Sequence, residues 1–355
     1  MSRIGTMDTK IFAEEVSSMN EFSGKPFLKS LYARNARSMP FPEEGASFPE
    51  WREKAQNTLK RLLAVRGCPP IPRLGTVVET RRLDGGFVRE RILMRTAPEL
   101  WMTAFLLYKD GAPERKPAAM IPPAEGAGKF GVVWSDDFEA VQKANASVRK
   151  TVCRNWDFSF ALAEKGYLVF APDTMGCGER REWMNEGEDK FFTCSHRVDN
   201  NVAIALGESL GGLIVHELQI AADYLETRSD YSGKLIACGT ESAAAISVMF
   251  ALCDERVSRV YAQNWLYNIE TTALRTGDVC ACACVPGLWR FFGNRDLAAM
   301  LAPRTLVVSG CSEDELSLAA RAYALAGCAS RLVCVPADAD TQAMNIRAID
   351  ILTAE

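Results

Sequence analysis

The chain has 355 residues, 48% hydrophobic and 24% charged, enough for a sizeable core in one large α/β domain with an extension. A net charge of −4 argues against a nucleic-acid or anionic-membrane partner, since both favour a basic face. Twelve cysteines scattered through apolar segments read as buried free thiols of a reducing compartment, and no run approaches the roughly 20 apolar residues of a membrane span, so a soluble cytoplasmic protein is expected.

In chain order, residues 1–50 are mixed and Pro-containing and suit surface wrapping or contacts between copies. Residues 48–65 place Trp51, Ala55, Leu59, Leu62 and Leu63 at helical spacing, and Gly67-Cys68-Pro69-Pro70 stops the helix. TVVETRRL, FVRERILMR and LWMTAFLLY, separated by Asp84-Gly85-Gly86 and Ala97-Pro98-Glu99, predict an antiparallel meander over 75–108. A short buried strand at 117–121, a helix near 154–165 and an apolar strand at 167–171 make a βαβ step, hence a parallel sheet with helices on both faces. A loop at 172–180 and a polar excursion at 181–200 follow, then a helix over 199–228 bent at Gly211-Gly212. The stretch 234–257 predicts strand, tight small-residue turn and apolar helix. After strand 257–262 comes a long segment, 263–301, then strand 305–309, helix 314–326, strand 332–335 and helix 342–352.

Several pieces of the chain, in this order, resemble a known group: Trp51-Arg52; Gly166-Tyr167-Leu168-Val169-Phe170-Ala171-Pro172-Asp173; Gly176-Cys177-Gly178-Glu179-Arg180; Ala222-Asp223-Tyr224-Leu225; Ala251-Leu252-Cys253-Asp254-Glu255-Arg256-Val257; Pro286-Gly287-Leu288; and Ala302-Pro303-Arg304-Thr305-Leu306. The chain is similar to the acetylxylan-esterase and dienelactone-hydrolase-related branch of the α/β-hydrolases over residues 48–355. The resemblance implies an α/β-hydrolase domain over 75–355, with residues 1–74 as an N-terminal helical extension. A strand–turn–helix in that fold is a nucleophile elbow, which usually reads G-x-Ser-x-G.

Here the turn reads Gly239-Thr240-Glu241-Ser242-Ala243, and the register set by Asp254-Glu255-Arg256 puts Glu241 at the serine position. Ser242 takes that place if the register shifts by one. Gly207-Glu208-Ser209-Leu210-Gly211 is a rival elbow that matches the pattern to the letter. A serine nucleophile needs a histidine base, which follows the last strand in this fold. The only histidines, His196 and His216, both precede residue 234. The loop of the oxyanion hole reads Pro122-Pro123-Ala124-Glu125-Gly126, and each proline removes a backbone donor.

Carboxylates remain at Glu313 or Asp314, in the loop of the acid, and at Asp338 or Asp340, in the loop of the histidine. With Glu241 they are expected to converge at the carboxyl ends of neighbouring strands, where acids sharing a site force protonation of one or attract a cation. Glu125, Asp173 and His196 are expected to line the ligand side. Cys280-Ala281-Cys282-Ala283-Cys284 puts three thiols on one face if extended, but the spacing departs from zinc motifs, so these read as structural cysteines with no metal and no cofactor. The expectation is a hydrolase-fold protein that has lost Ser-His-Asp chemistry, either a pseudo-hydrolase or a non-hydrolytic catalyst with an acidic pocket around Glu241. The alternatives are a carboxylic-ester hydrolase using Ser209 or Ser242, and a ligand-binding or scaffold protein. A small molecule is the expected partner, with homo-oligomer contacts through the N-terminal arm.

Overall fold

A computed structural model describes residues 24–35, 38–42, 45–66, 71, 75–111, 114–124, 126–133, 156–182, 194–267, 269, 279–336, 338 and 340–354. Residues 1–23, Glu125 and parts of the 181–200 and 263–301 excursions lie outside them. The elements run α1 (Lys25–Asn35), α2 (Phe48–Leu63), β1 (Gly75–Leu83), β2 (Phe87–Ala97), β3 (Leu100–Lys109) and β4 (Lys116–Met120). Then come α3 (Trp156–Glu164), β5 (Leu168–Pro172), α4 (His196–Ala205), α5 (Leu210–Glu226), β6 (Tyr231–Thr240), α6 (Glu241–Cys253) and β7 (Val257–Gln263). The last are α7 (Leu288–Phe291), α8 (Asn294–Met300), β8 (Thr305–Ser309), α9 (Glu313–Leu325), β9 (Leu332–Val335) and α10 (Thr341–Thr353).

The strands form one nine-stranded sheet in the order β1-β2-β3-β5-β4-β6-β7-β8-β9. The meander is antiparallel, with Gly85 and Gly86 at positive φ in its first turn, and β3 meets β5 antiparallel; every pairing from β5 to β9 is parallel. The parallel strands are short and apolar because helices cover both faces. On one face α3 and α10 bring Phe158, Leu162, Ile349 and Leu352 against Ile236 and Val307. On the other, α2, α5, α6, α8 and α9 form a second core around Leu59, Leu218, Met249 and Leu297, against Ala237 and Leu306. Every residue from Ala243 to Leu252 is buried, as an all-round apolar helix requires. No described helix is long and apolar enough to cross a membrane.

One expected helix becomes two. The 199–228 stretch breaks at Gly207, whose φ of +83° ends α4, and Ser209 starts α5. Gly211 and Gly212 bend nothing. A β-carbon there would meet the Cys282 and Leu63 carbonyl oxygens at 2.5 and 2.6 Å, so these glycines allow close packing inside a continuous helix.

The order places the site. From β4 the chain steps to one side to form β5, and β6 then pairs on the other side of β4. Loops leaving the carboxyl ends of β4 and β6 diverge there, and such switch points open the crevices in which doubly wound sheets bind ligands.

Candidate functional site: an elbow that carries a carboxylate

β6 runs extended through Thr240 (φ −118°, ψ 142°), and the next residue, Glu241, has φ +53° as the first residue of α6. Left-handed backbone is uncommon for a residue with a β-carbon and costs about 1–2 kcal/mol. Its product here is a reversal so tight that a β-carbon on Gly239 would lie 2.4 Å from the Ala243 carbonyl carbon. Glycine is required at 239, and a small residue suits 243. The side chain lifted onto the exposed crest is that of Glu241.

A second left-handed residue stands beside it. Thr240 pairs with Gln263, and Gln263 with Ser309, in one row across β6, β7 and β8. One position beyond that row are Glu241, Asn264 and Gly310, and Asn264 has φ +52°. Asn264 donates its N–H to the Ser309 carbonyl at 2.9 Å, and a β-carbon on Gly310 would collide with the Asn264 amide oxygen at 1.9 Å. Within the row, Ser309 Oγ lies 3.0 Å from the OH of Tyr261, which precedes Gln263 by two positions on β7, and the same phenol donates to Asn345 Oδ1 at 3.0 Å. Burial pushes the Tyr261 phenol up to about 12. Paired strain of this kind concentrates at functional sites.

Ser242 follows the crest and turns toward the β4 loop, donating its hydroxyl proton to the Ala124 carbonyl at 2.7 Å. This bond ties the loop of Pro122 and Pro123 to the first turn of α6. Ser209 is the N-cap of α5, 3% exposed, with its Oγ accepting from Gly212 N at 3.0 Å. The rival G-x-S-x-G match is therefore a helix start and holds no elbow.

The remaining acids have local work. Glu313 and Asp314 lie exposed in the first turn of α9, with Asp314 3.6 Å from Arg295. Asp340 caps α10, accepting from Gln342 and Ala343 N–H groups, and Asp338 pairs with Arg347 at 2.8 Å. These four sit at carboxyl ends of β8 and β9 as capping and surface groups. Asp173 is fully buried as the hub of the β5 loop: Oδ1 accepts from Lys129 N at 2.7 Å, and Oδ2 from Thr103 Oγ1 at 2.8 Å and Lys129 Nζ at 2.5 Å. Both oxygens are engaged inside the loop and none of the side chain is exposed, which corrects the expectation that it lines the ligand side. Lys129 Nζ also reaches Glu179 at 2.7 Å, and Arg91 pairs with Glu179 at 2.8 Å. Burial pushes the Glu179 carboxyl up, but Lys129 and Arg91 outweigh it and hold it down at about 2.

His196 does not line the crevice either. It is 2% exposed, with Nε2 3.2 Å from Cys177 Sγ and Nδ1 3.1 Å from Cys280 Sγ. Residues 281–283 form a 3-10 turn, so the three thiols of 280–284 do not share an extended face. The sequence reading missed Asn264 and the partnership of Cys177 and Cys194 with His196. The spacing Cys194-x-His196, matched by Cys280-x-Cys282, is the signal that could have found the latter.

A cleft of about 600 Å³ lies elsewhere, lined by Arg259, Arg304 and Arg331 at the amino ends of β7, β8 and β9. Its arginines bond backbone carbonyls of Leu352, Ala251 and Pro303, and ligands of such sheets bind at the opposite ends of the strands. The elbow crest is the better candidate.

No protein-family model and no curated protein sequence matches the chain. Solved structures do. A candidate acetyl xylan esterase from Bacteroides fragilis NCTC 9343 superposes with a TM-score of 0.76 at 16% identity, over 89% of this chain and 82% of that one. A glucuronoyl esterase from Teredinibacter turnerae T7901 gives 0.59 at 12%, over 91% and 89%, and one from Solibacter usitatus gives 0.54 at 13%, over 89% and 95%. Sheet order, elbow geometry and these superpositions agree: the chain has the α/β-hydrolase fold.

Proposed function

We propose that this chain is a divergent, esterase-like α/β-hydrolase-fold protein that presents a carboxylate at its elbow and works without serine–histidine chemistry. The observation that supports it is the left-handed Glu241 at the end of β6, where the fold holds strain to raise one side chain. A carboxylate there accepts hydrogen bonds from hydroxyls or takes up a proton, and so suits a polyhydroxylated small ligand. Acetylated xylan fragments and glucuronoyl esters, the substrates named for its structural neighbours, are the first chemistry to try. Serine attack needs an adjacent base. His196 is held between two thiols, and His216 lies on α5.

A second reading has one specific support. The structural neighbours are esterases, and Ser242 sits one residue past the crest, facing the β4 loop. Ser242 would then be the nucleophile of an ester hydrolase. Fluorophosphonate labelling separates the two. The first reading expects no labelling, together with thermal stabilisation by acetylated xylo-oligosaccharide or methyl glucuronate that Glu241→Gln abolishes. Labelling lost in Ser242→Ala would establish the second. Stabilisation unchanged in Glu241→Gln, or absent from the native chain, would overturn the first.

A further inference from the structure

Two short pairs, Cys194-Ser195-His196 and Cys280-Ala281-Cys282, meet in space although 84 residues separate His196 from Cys280. Cys194 Sγ, a ring nitrogen of His196 and Cys280 Sγ all lie within 4.8 Å of one another. Cys282 Sγ stands 3.3 Å from Cys280 Sγ. Cys177 faces the ring from its other nitrogen at 3.2 Å.

A neutral imidazole offers one N–H and one lone pair, and a buried one ordinarily spends both on oxygen or nitrogen partners. Here both ring nitrogens face sulfur, a weak donor and a weak acceptor. Thiolate and imidazole together are the donor set of a soft or borderline metal ion. Such an ion takes the lone pair of one nitrogen, while the other N–H is fixed by a hydrogen bond to an outer partner. The two sides of the ring divide that way, with Nδ1 toward Cys280 and Nε2 toward Cys177.

We propose that Cys194, His196 and Cys280 bind a zinc ion, with Cys282 as fourth ligand and Cys177 as the hydrogen-bond partner of the imidazole. Zinc at about 2.3 Å from sulfur and about 2.0–2.1 Å from nitrogen gives tetrahedral edges of about 3.5–3.8 Å. The ligand atoms of Cys194, His196 and Cys280 lie within 4.8 Å of one another, with His196 Nδ1 3.1 Å from Cys280 Sγ, close to those edges, and Cys282 Sγ, 3.3 Å from Cys280 Sγ, is at hand for the fourth place. The turn that carries Cys280 and Cys282 packs on α4, α5 and α6, and the absence of a β-carbon at Gly211 lets α5 approach its backbone. Cys194 and Cys280 are half-buried and give the ion a way in. The ion would clamp the start of α4 to the turn beside the elbow helix.

The test measures metal in the full-length chain, purified with a thiol reductant from zinc-supplemented medium. Elemental analysis is expected to give about one zinc per chain, as a single four-ligand site requires. Cys194→Ser and Cys280→Ser should each lower this at least fivefold, while the exposed Cys334→Ser leaves it unchanged. Cys282→Ser should retain zinc but release it to a chelator at least tenfold faster. To separate metal loss from unfolding of a variant, the native chain is also stripped with chelator, and its melting temperature should drop and recover when zinc is restored. Cobalt(II) loading should give thiolate-to-metal charge-transfer absorption that Cys280→Ser removes. A native chain without bound metal whose thiols all react with alkylating reagent overturns the proposal. So does a Cys280–Cys282 disulfide in the reduced preparation, or zinc retained in the Cys194 and Cys280 variants.

Discussion

Glu241 keeps a backbone conformation that glycine would adopt without steric cost, so the chain gives up stability to show a carboxylate. Glu241→Gly is expected to raise stability by about 1 kcal/mol, read by urea unfolding, while erasing any ligand response; a loss of stability would mean the side chain is itself a strut. Ser209→Ala should cost about 1 kcal/mol, the usual worth of an N-cap, with ligand response intact. If that variant instead loses function at unchanged stability, Ser209 belongs to the chemistry. At this scale the elbow was legible: an apolar strand, a glycine two places before the crest, and Asp254-Glu255-Arg256 to fix the register. The left-handed Asn264 was not, because the clash that requires glycine at 310 beside it joins neighbouring strands and leaves no local mark.

The loop after β5 shows what elements do with charge. Lys129 and Asp173 are both fully buried, and each is satisfied only by the other and by neighbouring polar groups. Lys129→Met strands a buried carboxylate and is expected to cost about 3–5 kcal/mol by chemical denaturation. Glu179 adds a pH dependence. Its carboxyl is lowered in the folded chain, so its contribution is full above the ordinary value of 4.5 and fades as pH falls toward about 2. The melting temperature should decline across that window, less steeply in Glu179→Gln, with the effect damped by the third of the side chain that meets solvent. The sequence could not reveal Lys129 as a core residue, since its partner lies 44 residues away. The terminal acids misled for another reason. Ser312-x-x-Glu315 and Asp340 are helix-start signals, and at the carboxyl end of a strand a capping acid looks like a site acid.

For the whole molecule, apolar runs and turn residues were enough to read the sheet and its two helical layers, because parallel strands and their covering helices carry their burial in composition. The place of the first helices was harder to see. Phe48, Trp51, Leu59 and Leu63 join the same core as α5 and α6, and Arg52 holds the Met300 carbonyl at 2.9 Å. A chain beginning at residue 75 is therefore expected to form no cooperatively unfolding domain; a sharp two-state melt of that fragment would contradict this. The intact elbow has a wider consequence. Enzymologists ordinarily remove a nucleophile by mutation and then ask what the remaining scaffold still does. On the proposed reading, this chain presents that ablation ready-made, with the reversal at Gly239 kept and a carboxylate at the crest. On that reading it would serve as a natural reference for how much of a hydrolase's power resides in the shape of its backbone alone.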